Sequence, residues 1–148
     1  MKKCNSILYS LMIFILATSC SSDPEEQKPQ LAEEETQTNL LAKTWILGEV
    51  LHESEIVTER FEGFTLTFTT DKKYLSTHAS GGYDEEPFKA SGSWDFKNGN
   101  LNVISRDDGV DMDVVASENN LMLVFFLISE SSSRIAGLGE YRFELISQ

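Results

Sequence analysis

The chain has 148 residues, and its 12 lysines and arginines against 24 aspartates and glutamates give a formal net charge of −12. That length suits one domain of ordinary size, and the 41% of hydrophobic residues can form a core. The acidic balance argues against nucleic-acid binding, because such proteins need a basic surface to displace counterions from phosphates. It also disfavours adsorption of the folded part to anionic lipid headgroups.

The N-terminus has the pattern of an export signal. Lys2 and Lys3 precede an apolar run over residues 7–17, which is shorter than the ~20 residues that a membrane-spanning helix needs. Small residues follow the run, as they do before a signal-peptide cleavage site. We therefore expect residues 1–19 to be a signal peptide that is removed on export, together with Cys4.

A second cysteine follows the small residues directly. Ala17, Thr18, Ser19 and Cys20 resemble the lipobox of bacterial lipoproteins, in which the cysteine is acylated and becomes the first residue of the mature chain. That family prefers Leu where Ala17 stands and Gly or Ala where Ser19 stands. The resemblance implies a membrane anchor of acyl chains, palmitate among them, on Cys20. The alternative is ordinary secretory cleavage, which would leave Cys20 as a lone thiol in an oxidising compartment.

Residues 20–39 are acidic and poor in apolar side chains, of which Leu31 and Ala32 are the only ones after the cysteine. Such a segment gains too little from burial to offset the entropy of ordering, so we expect a flexible tether. The acidic stretch 21–26 resembles the signals that carry some Gram-negative lipoproteins to the outer leaflet of the outer membrane. The resemblance implies an outer-membrane protein displayed on the cell surface, and the alternative is a plain acidic spacer.

The remaining residues, 40–148, form one domain of short apolar runs separated by turn residues. After a helical turn at 40–43, the runs cover residues 45–52, 61–70, 73–78, 88–96, 100–106, 110–117, 120–129 and 140–147. Several alternate apolar and polar side chains, which is typical of β-strands, and Asn98-Gly99 between two runs favours a hairpin. Short connections imply antiparallel neighbours. The sequence therefore predicts an all-β, eight-stranded antiparallel up-and-down barrel, with a β-sandwich as the alternative.

Four landmarks in these runs together resemble the lipocalin-like domains of small Gram-negative lipoproteins. They are Leu40 to Trp45, Phe64 to Tyr74, Ser91 to Trp94 and Tyr141 to Leu145. The resemblance implies a barrel with an apolar interior, without catalytic apparatus and without a cofactor. True lipocalins have a glycine where Lys43 stands and pack an arginine over the tryptophan of the first strand; Arg142 is the nearest candidate for that role and Arg134 the other.

The candidate ligand-binding residues are apolar and aromatic side chains that are expected to face the barrel interior, where such folds hold a small apolar molecule or a glycan. They are Trp45, Phe64, Leu66, Phe68, Trp94, Phe96, Phe125 and Phe143. Tyr74 and Tyr83 are candidate aromatics at the rim, and the alternative is that they are ordinary turn and edge residues. The alternative function is that of a structural or accessory protein of an envelope complex, with a filled barrel and no ligand.

The run at 120–129 is apolar on both faces. Leu121, Leu123, Phe125 and Leu127 form one face, and Met122, Val124, Phe126 and Ile128 form the other. One face fills the barrel, and the other needs a cover, because monomers rarely leave such patches bare. The candidates for the cover are the Leu40-Leu41 turn, the Ser-rich loop at 130–139 and an envelope protein partner.

No residue pattern assembles a catalytic or metal site. The aspartates within 107–113 lack the spacing of a calcium-binding loop. His52 and His78, the only histidines, have no cysteine partners for zinc. The Ser-Gly-Ser at 91–93 lacks the helix and the histidine that a nucleophile elbow needs. We therefore expect neither enzymatic activity nor a bound metal.

Overall fold

A computed structural model describes residues 27–77, 87–128 and 138–148. The predicted signal peptide (1–19), the predicted lipidation site Cys20 and three residues singled out above, His78, Tyr83 and Arg134, lie outside the described residues. Within them, no helix combines the length and the apolar character that crossing a bilayer requires.

One helix and nine strands form the described part of the chain. The elements are α1 (Gln27–Leu41), β1 (Thr44–His52), β2 (Glu55–Ile56), β3 (Thr65–Phe68), β4 (Lys73–Thr77), β5 (Ser91–Lys97), β6 (Asn100–Arg106), β7 (Asp111–Ala116), β8 (Asn120–Leu127) and β9 (Gly139–Ser147). A 3₁₀ turn, Thr58–Phe61, connects β2 to β3.

Eight of the strands close into an antiparallel barrel. From β3 to β9 each strand pairs with the next one along the chain, and β1 pairs with β3 on one side and β9 on the other. The β1–β9 ladder runs from Trp45–Ser147 to His52–Tyr141 and closes the cylinder, while β2 adds a two-residue pairing to the end of β1. The predicted all-β eight-stranded antiparallel barrel is confirmed, and the chain does not adopt the sandwich alternative.

The alternation of side chains sorts them between the interior and the outer surface. In β3, Leu66 and Phe68 are buried inside, whereas Thr65 and Thr67 are half-buried on the outer face. The turn between β5 and β6 follows the prediction, since Asn98 and Gly99 have φ angles of 52° and 75°, the left-handed conformation that an Asn-Gly hairpin favours. The prediction of a strand from residue 61 is wrong at its start, because the 3₁₀ turn and Gly63, at φ 81°, delay the strand to Thr65.

The helix α1 lies across one end of the barrel, which we call the helix end. The carbonyl of Leu41 accepts a hydrogen bond from the Trp45 indole at 2.9 Å, and Glu34 Oε1 lies 2.5 Å from Lys72 Nζ in the turn between β3 and β4. Nearer the start of α1, the side chain of Gln30 lies beside Gly99, where an added Cβ would be 2.9 Å from Gln30 Nε2. The opposite end, where β6 turns into β7 and Leu138 leads into β9, is called the far end.

The prediction of a flexible tether over residues 20–39 is wrong from Gln27 onward, where α1 begins. The predicted helical turn at 40–43 is the end of this longer helix, which stops at Leu41. The segment is rich in Glu, Gln and Leu, which are good helix formers. Its last turn buries Thr38 and Leu41, at 7% and 0% exposure, against the barrel. Composition alone suggested a coil because this burial depends on tertiary contacts.

Candidate functional site

The eight predicted interior residues all lie inside the barrel. They are Trp45, Phe64, Leu66, Phe68, Trp94, Phe96, Phe125 and Phe143, and none is more than 7% exposed. All belong to one continuous apolar cluster, to which Leu41 of α1 also belongs. The candidate site is therefore the interior of the barrel, and its capacity for a guest depends on how these side chains fill it.

Aromatic rings in mutual contact occupy the half of the interior nearer the far end. Phe88, which precedes β5, has its ring centroid 5.6 Å from that of Phe64, 5.4 Å from Phe125 and 5.5 Å from Phe143. Phe125 and Phe143 stack at 5.8 Å with an interplanar angle of 18°. Aromatic rings at these separations are in packing contact. They therefore occupy space between β3, β8 and β9 that a guest molecule would otherwise use.

Two tryptophans fill the half nearer the helix end. Trp94 meets Phe68 and Phe96 edge to face at centroid distances of 5.5 and 5.3 Å. Its indole N–H donates to the carbonyl of Lys73 at 3.2 Å, and that of Trp45 donates to Leu41. Both indole donors thus have backbone partners, and neither is left for a ligand.

A buried cation, Arg106, covers the aromatic cluster at the far end. Its guanidinium carbon lies 4.8 Å from the ring centroid of Phe88 and 5.9 Å from that of Phe125. Nη1 donates to the carbonyl of Pro87 at 2.7 Å, Nε donates to Asp108 Oδ1 at 3.0 Å, and Nη2 forms an ion pair with Asp108 Oδ2. The guanidinium therefore has polar partners although Arg106 is only 5% exposed.

Burial and ion pairing act in opposite directions on Asp108. Burial disfavours the charged carboxylate and would raise the pKa, but the hydrogen bonds and the positive charge of Arg106 outweigh it, so the pKa of Asp108 lies below its ordinary value. The carboxylate is thus held in its charged form by the cation that it neutralises.

Tyr74 is buried inside the barrel, so its prediction as a rim aromatic is wrong. It pairs across the β4–β5 ladder with Gly92, where an added Cβ would lie 2.6 Å from its ring and from its hydroxyl oxygen. Because Gly92 has no side chain, the Tyr74 ring can occupy this position. Among the described residues, the Tyr74 hydroxyl has no hydrogen-bond partner, and burial raises the pKa of Tyr74.

The cation over the Trp45 ring is Lys43, not Arg142. Lys43 Nζ lies 5.2 Å from the ring centroid and donates to the carbonyl of Glu118 at 2.9 Å. Arg142 stands on the outer face of β9, where it forms an ion pair with Glu144. Because inward and outward positions alternate along β9, with Phe143 inside, Arg142 cannot reach the interior.

Sequence reasoning missed Phe88 and Arg106 as interior residues. A signal for Arg106 exists, because it stands two residues after the buried Ile104 and so has the inward parity of β6. Phe88 stands at the start of the predicted run 88–96 with the parity of Trp94 and Phe96. The start of that run is wrong, because β5 begins at Ser91 and Phe88 precedes it.

The outer groove is a depression of about 480 Å³ on the wall formed by β7, β8, β9 and β1. Its lining residues are Gly48, Glu49, Val115, Ala116, Ser117, Asn120, Leu121, Met122, Glu144, Leu145 and Ile146. Val115 and Ile146 are 62% and 44% exposed; Phe126 near the end of β8 and Ile128 just beyond it are 57% and 84% exposed. Leu41 is buried in the core, and neither it nor Leu40 lines the groove. Most of the Ser-rich loop lies outside the described residues.

Among the described residues, the remaining candidate polar side chains have partners within the chain. Asp111 pairs with Lys97 and accepts a hydrogen bond from Ser105. His52 stacks on Tyr141 at a centroid distance of 4.3 Å. In this part of the chain, no three His, Cys, Asp or Glu side chains converge as metal ligands.

Comparisons with models of known protein families, with curated proteins and with solved structures find no match. The resemblance to lipocalin-like domains stays a prediction.

Proposed function

We propose that this chain is a bacterial envelope lipoprotein, anchored to the outer membrane through Cys20, whose filled barrel acts by binding another envelope protein. The observation that carries the proposal is the contact of Phe88 with the rings of Phe64, Phe125 and Phe143 inside the barrel. A barrel packed in this way presents its outer wall, not its interior, to other molecules.

The energy needed to open the interior supports this function. A pocket for a small molecule has a volume of several hundred Å³, and here it would require Phe88 to leave its aromatic neighbours. The ring also lies against the buried Arg106 guanidinium. Moving a large ring out of a core costs about 3–5 kcal/mol, and the contact between the ring and the guanidinium would be lost as well. The closed interior is therefore favoured over one that is opened by moving Phe88.

The N-terminal residues support the proposed lipid anchor. A basic start, a short apolar run and a cysteine behind small residues together support acylation of Cys20. Acyl chains attach a protein to a membrane without help from its folded surface, since each buried CH₂ contributes about 0.8 kcal/mol. An acidic domain can thus stay on a membrane that its own charge does not attract.

A carrier of a small apolar molecule or a glycan is the second candidate function. It is favoured by the Tyr74 hydroxyl, which is buried and has no hydrogen-bond partner among the described residues. Buried polar groups are normally paired, and a guest reaching this hydroxyl would pair it. The ring contacts around Phe88 weigh against this function, because the guest would have to displace them.

The test is native mass spectrometry of the full-length protein extracted from membranes, followed by titration with the apolar fluorophore N-phenyl-1-naphthylamine. We expect a mass equal to the chain from Cys20 plus acyl groups, no retained guest, and no saturable fluorescence increase. A retained small molecule at a 1:1 ratio, or saturable binding of the fluorophore, would establish the carrier instead. A mass without acyl groups would disprove the anchor.

A further inference from the structure

The outer groove combines exposed apolar side chains with a pair of facing carboxylates. Val115 and Met122 are cross-strand partners on β7 and β8, and Ile146 on β9 is 44% exposed beside them. On the same wall Glu49 of β1 stands directly opposite Glu144 of β9. The wall of the groove thus has an apolar floor next to two carboxylates.

The two glutamates are a like-charge pair that the protein alone does not fully compensate. Side chains directly opposite on antiparallel strands lie about 5 Å apart, and like charges there are destabilising. Glu144 has a partner in Arg142. Among the described residues, no cation forms an ion pair with Glu49. A positive charge placed between Glu49 and Glu144 would remove this repulsion.

A glycine lies beside the two carboxylates in the wall of the groove. The β1–β9 register shifts between Leu47 and Glu49, and the extra residue at this bulge is Gly48. A Cβ on Gly48 would lie 2.8 Å from the carbonyl oxygen of Glu144, so the two strands approach too closely here for a larger residue. Gly48, Glu49 and Glu144 line the groove together with the apolar side chains, so no side chain at the bulge stands between the carboxylates and the apolar floor.

We propose that the outer groove binds a segment of another protein in which a lysine or arginine is flanked by apolar side chains. The cation lies between Glu49 and Glu144, and its apolar neighbours pack on Val115, Met122 and Ile146. This inference rests on the proposed function, since it names the surface and the partner chemistry of an interaction module. Facing charges of opposite sign give such an interface its specificity.

The negative charge of the groove favours this partner over two other occupants, a lipid surface and a second copy of this chain. The phosphates of a lipid surface would be repelled by Glu49 and Glu144. A second copy of this chain would bring together two molecules of net charge −12, each with the same carboxylates on this wall. A basic and apolar segment meets neither obstacle.

The experiment places the photo-crosslinking amino acid p-benzoylphenylalanine at Val115 of the full-length protein in its own cells. Leu75, which is 54% exposed on β4, is the control position. After irradiation, the crosslinked peptide is sequenced by mass spectrometry. The crosslink yield is then compared in Glu49→Gln/Glu144→Gln and in a control, Glu62→Gln, which alters an exposed glutamate outside the groove.

We expect a protein adduct from Val115 and none of it from Leu75, with the crosslinked peptide carrying Lys or Arg between apolar residues. The double Gln variant should lower the yield about tenfold, because it removes both carboxylates, while its thermal unfolding temperature stays equal or rises. Glu62→Gln should leave the yield unchanged. If the double Gln variant keeps a stable fold but loses the crosslink, the two glutamates act in binding and not in stabilising the fold.

Other outcomes overturn the inference. An adduct with a second copy of this chain or with lipid, the same adduct from Leu75, no adduct at all, or a yield unaffected by the double Gln variant would each exclude the proposed partner. A small molecule retained in the barrel would disprove the filled-barrel function by a separate measurement, so the two failures remain distinguishable.

Discussion

Arg106 holds a positive charge inside the barrel through partners that come from two separate loops. Pro87 precedes β5, and Asp108 lies in the turn after β6. Replacing both members of a buried pair with apolar groups can be neutral, whereas removing one member leaves an unpaired charge and costs about 3–5 kcal/mol. The two loops at the far end are therefore coupled through one guanidinium.

Asp108→Asn should lower the free energy of unfolding by about 3 kcal/mol, because it leaves the Arg106 charge buried without its counter-charge. Urea denaturation followed by tryptophan fluorescence measures the change. Asp113→Asn is the matched control, since Asp113 is exposed on the outer face of β7, and we expect its effect to stay within about 0.5 kcal/mol. Equal stability of Asp108→Asn and the wild type would contradict the structural role of the pair.

The same substitution predicts a pH dependence. Because the pKa of Asp108 is lower in the folded state, the pair contributes fully above the ordinary aspartate pKa of about 3.9, and its contribution is lost as the pH falls through the lower folded-state value. The stability difference between the wild type and Asp108→Asn should therefore be constant above about pH 5 and shrink below about pH 4. A difference that grows on acidification would reverse the assigned sign.

At the scale of elements, α1 is attached to the barrel mainly through its last turn. Leu41 is fully buried and Thr38 nearly so, whereas Leu31 is 65% exposed. The ion pair of Glu34 with Lys72 is partly exposed, and such pairs contribute about 0–1 kcal/mol. Apolar burial near Trp45 is therefore the stronger attachment.

Leu41→Ala should cost about 2–4 kcal/mol of unfolding free energy, because it leaves a cavity beneath Trp45. The variant should also increase proteolytic cleavage within residues 27–41. Leu31→Ala, in the same helix, should change neither quantity. Thermal denaturation and limited proteolysis check both, and a larger effect from Leu31 than from Leu41 would show that the helix is held elsewhere.

The strands were predictable from the sequence, whereas α1 was not. Alternation such as that of Thr65, Leu66, Thr67 and Phe68 is local, so it predicts both a strand and its buried face. The burial of Leu41 depends on where Trp45 lies after the barrel has closed, which no short pattern encodes. The packing partners of Phe88 share this limit, because Phe64 and Phe143 are distant in the chain, although the parity of Phe88 with Trp94 is a local signal.

At the scale of the whole molecule, barrel closure and interior filling depend on one another. The β1–β9 ladder leaves no free edge between these strands, and a cylinder of eight strands is just wide enough for its own side chains to fill. The candidate residues were thus located correctly by inward parity, but whether they surround a cavity depends on Phe88. The position of a residue in a strand predicts whether its side chain points inward, whereas the free volume inside the barrel depends on the complete fold.

Phe88→Ala should convert the filled interior into one that binds an apolar probe. The substitution removes a ring packed between Phe64, Phe125 and Phe143, which should cost about 3–5 kcal/mol and leave an apolar cavity. We expect saturable N-phenyl-1-naphthylamine fluorescence in the variant and not in the wild type. Phe126→Ala, which removes a 57% exposed ring from the outer face, is the control and should bind none. No gain in Phe88→Ala would show that Phe88 does not fill the barrel.

The path of α1 determines where the preceding chain leaves the domain. Near its start, Gln30 lies beside Gly99 in the hairpin between β5 and β6, and in the strand order this hairpin lies opposite the pairing of β1 with β9. A segment joined at Gln27, whether an anchor or a reporter domain, therefore starts on the side of the cylinder opposite Glu49 and Glu144. The approach to these two carboxylates stays clear of that point of attachment.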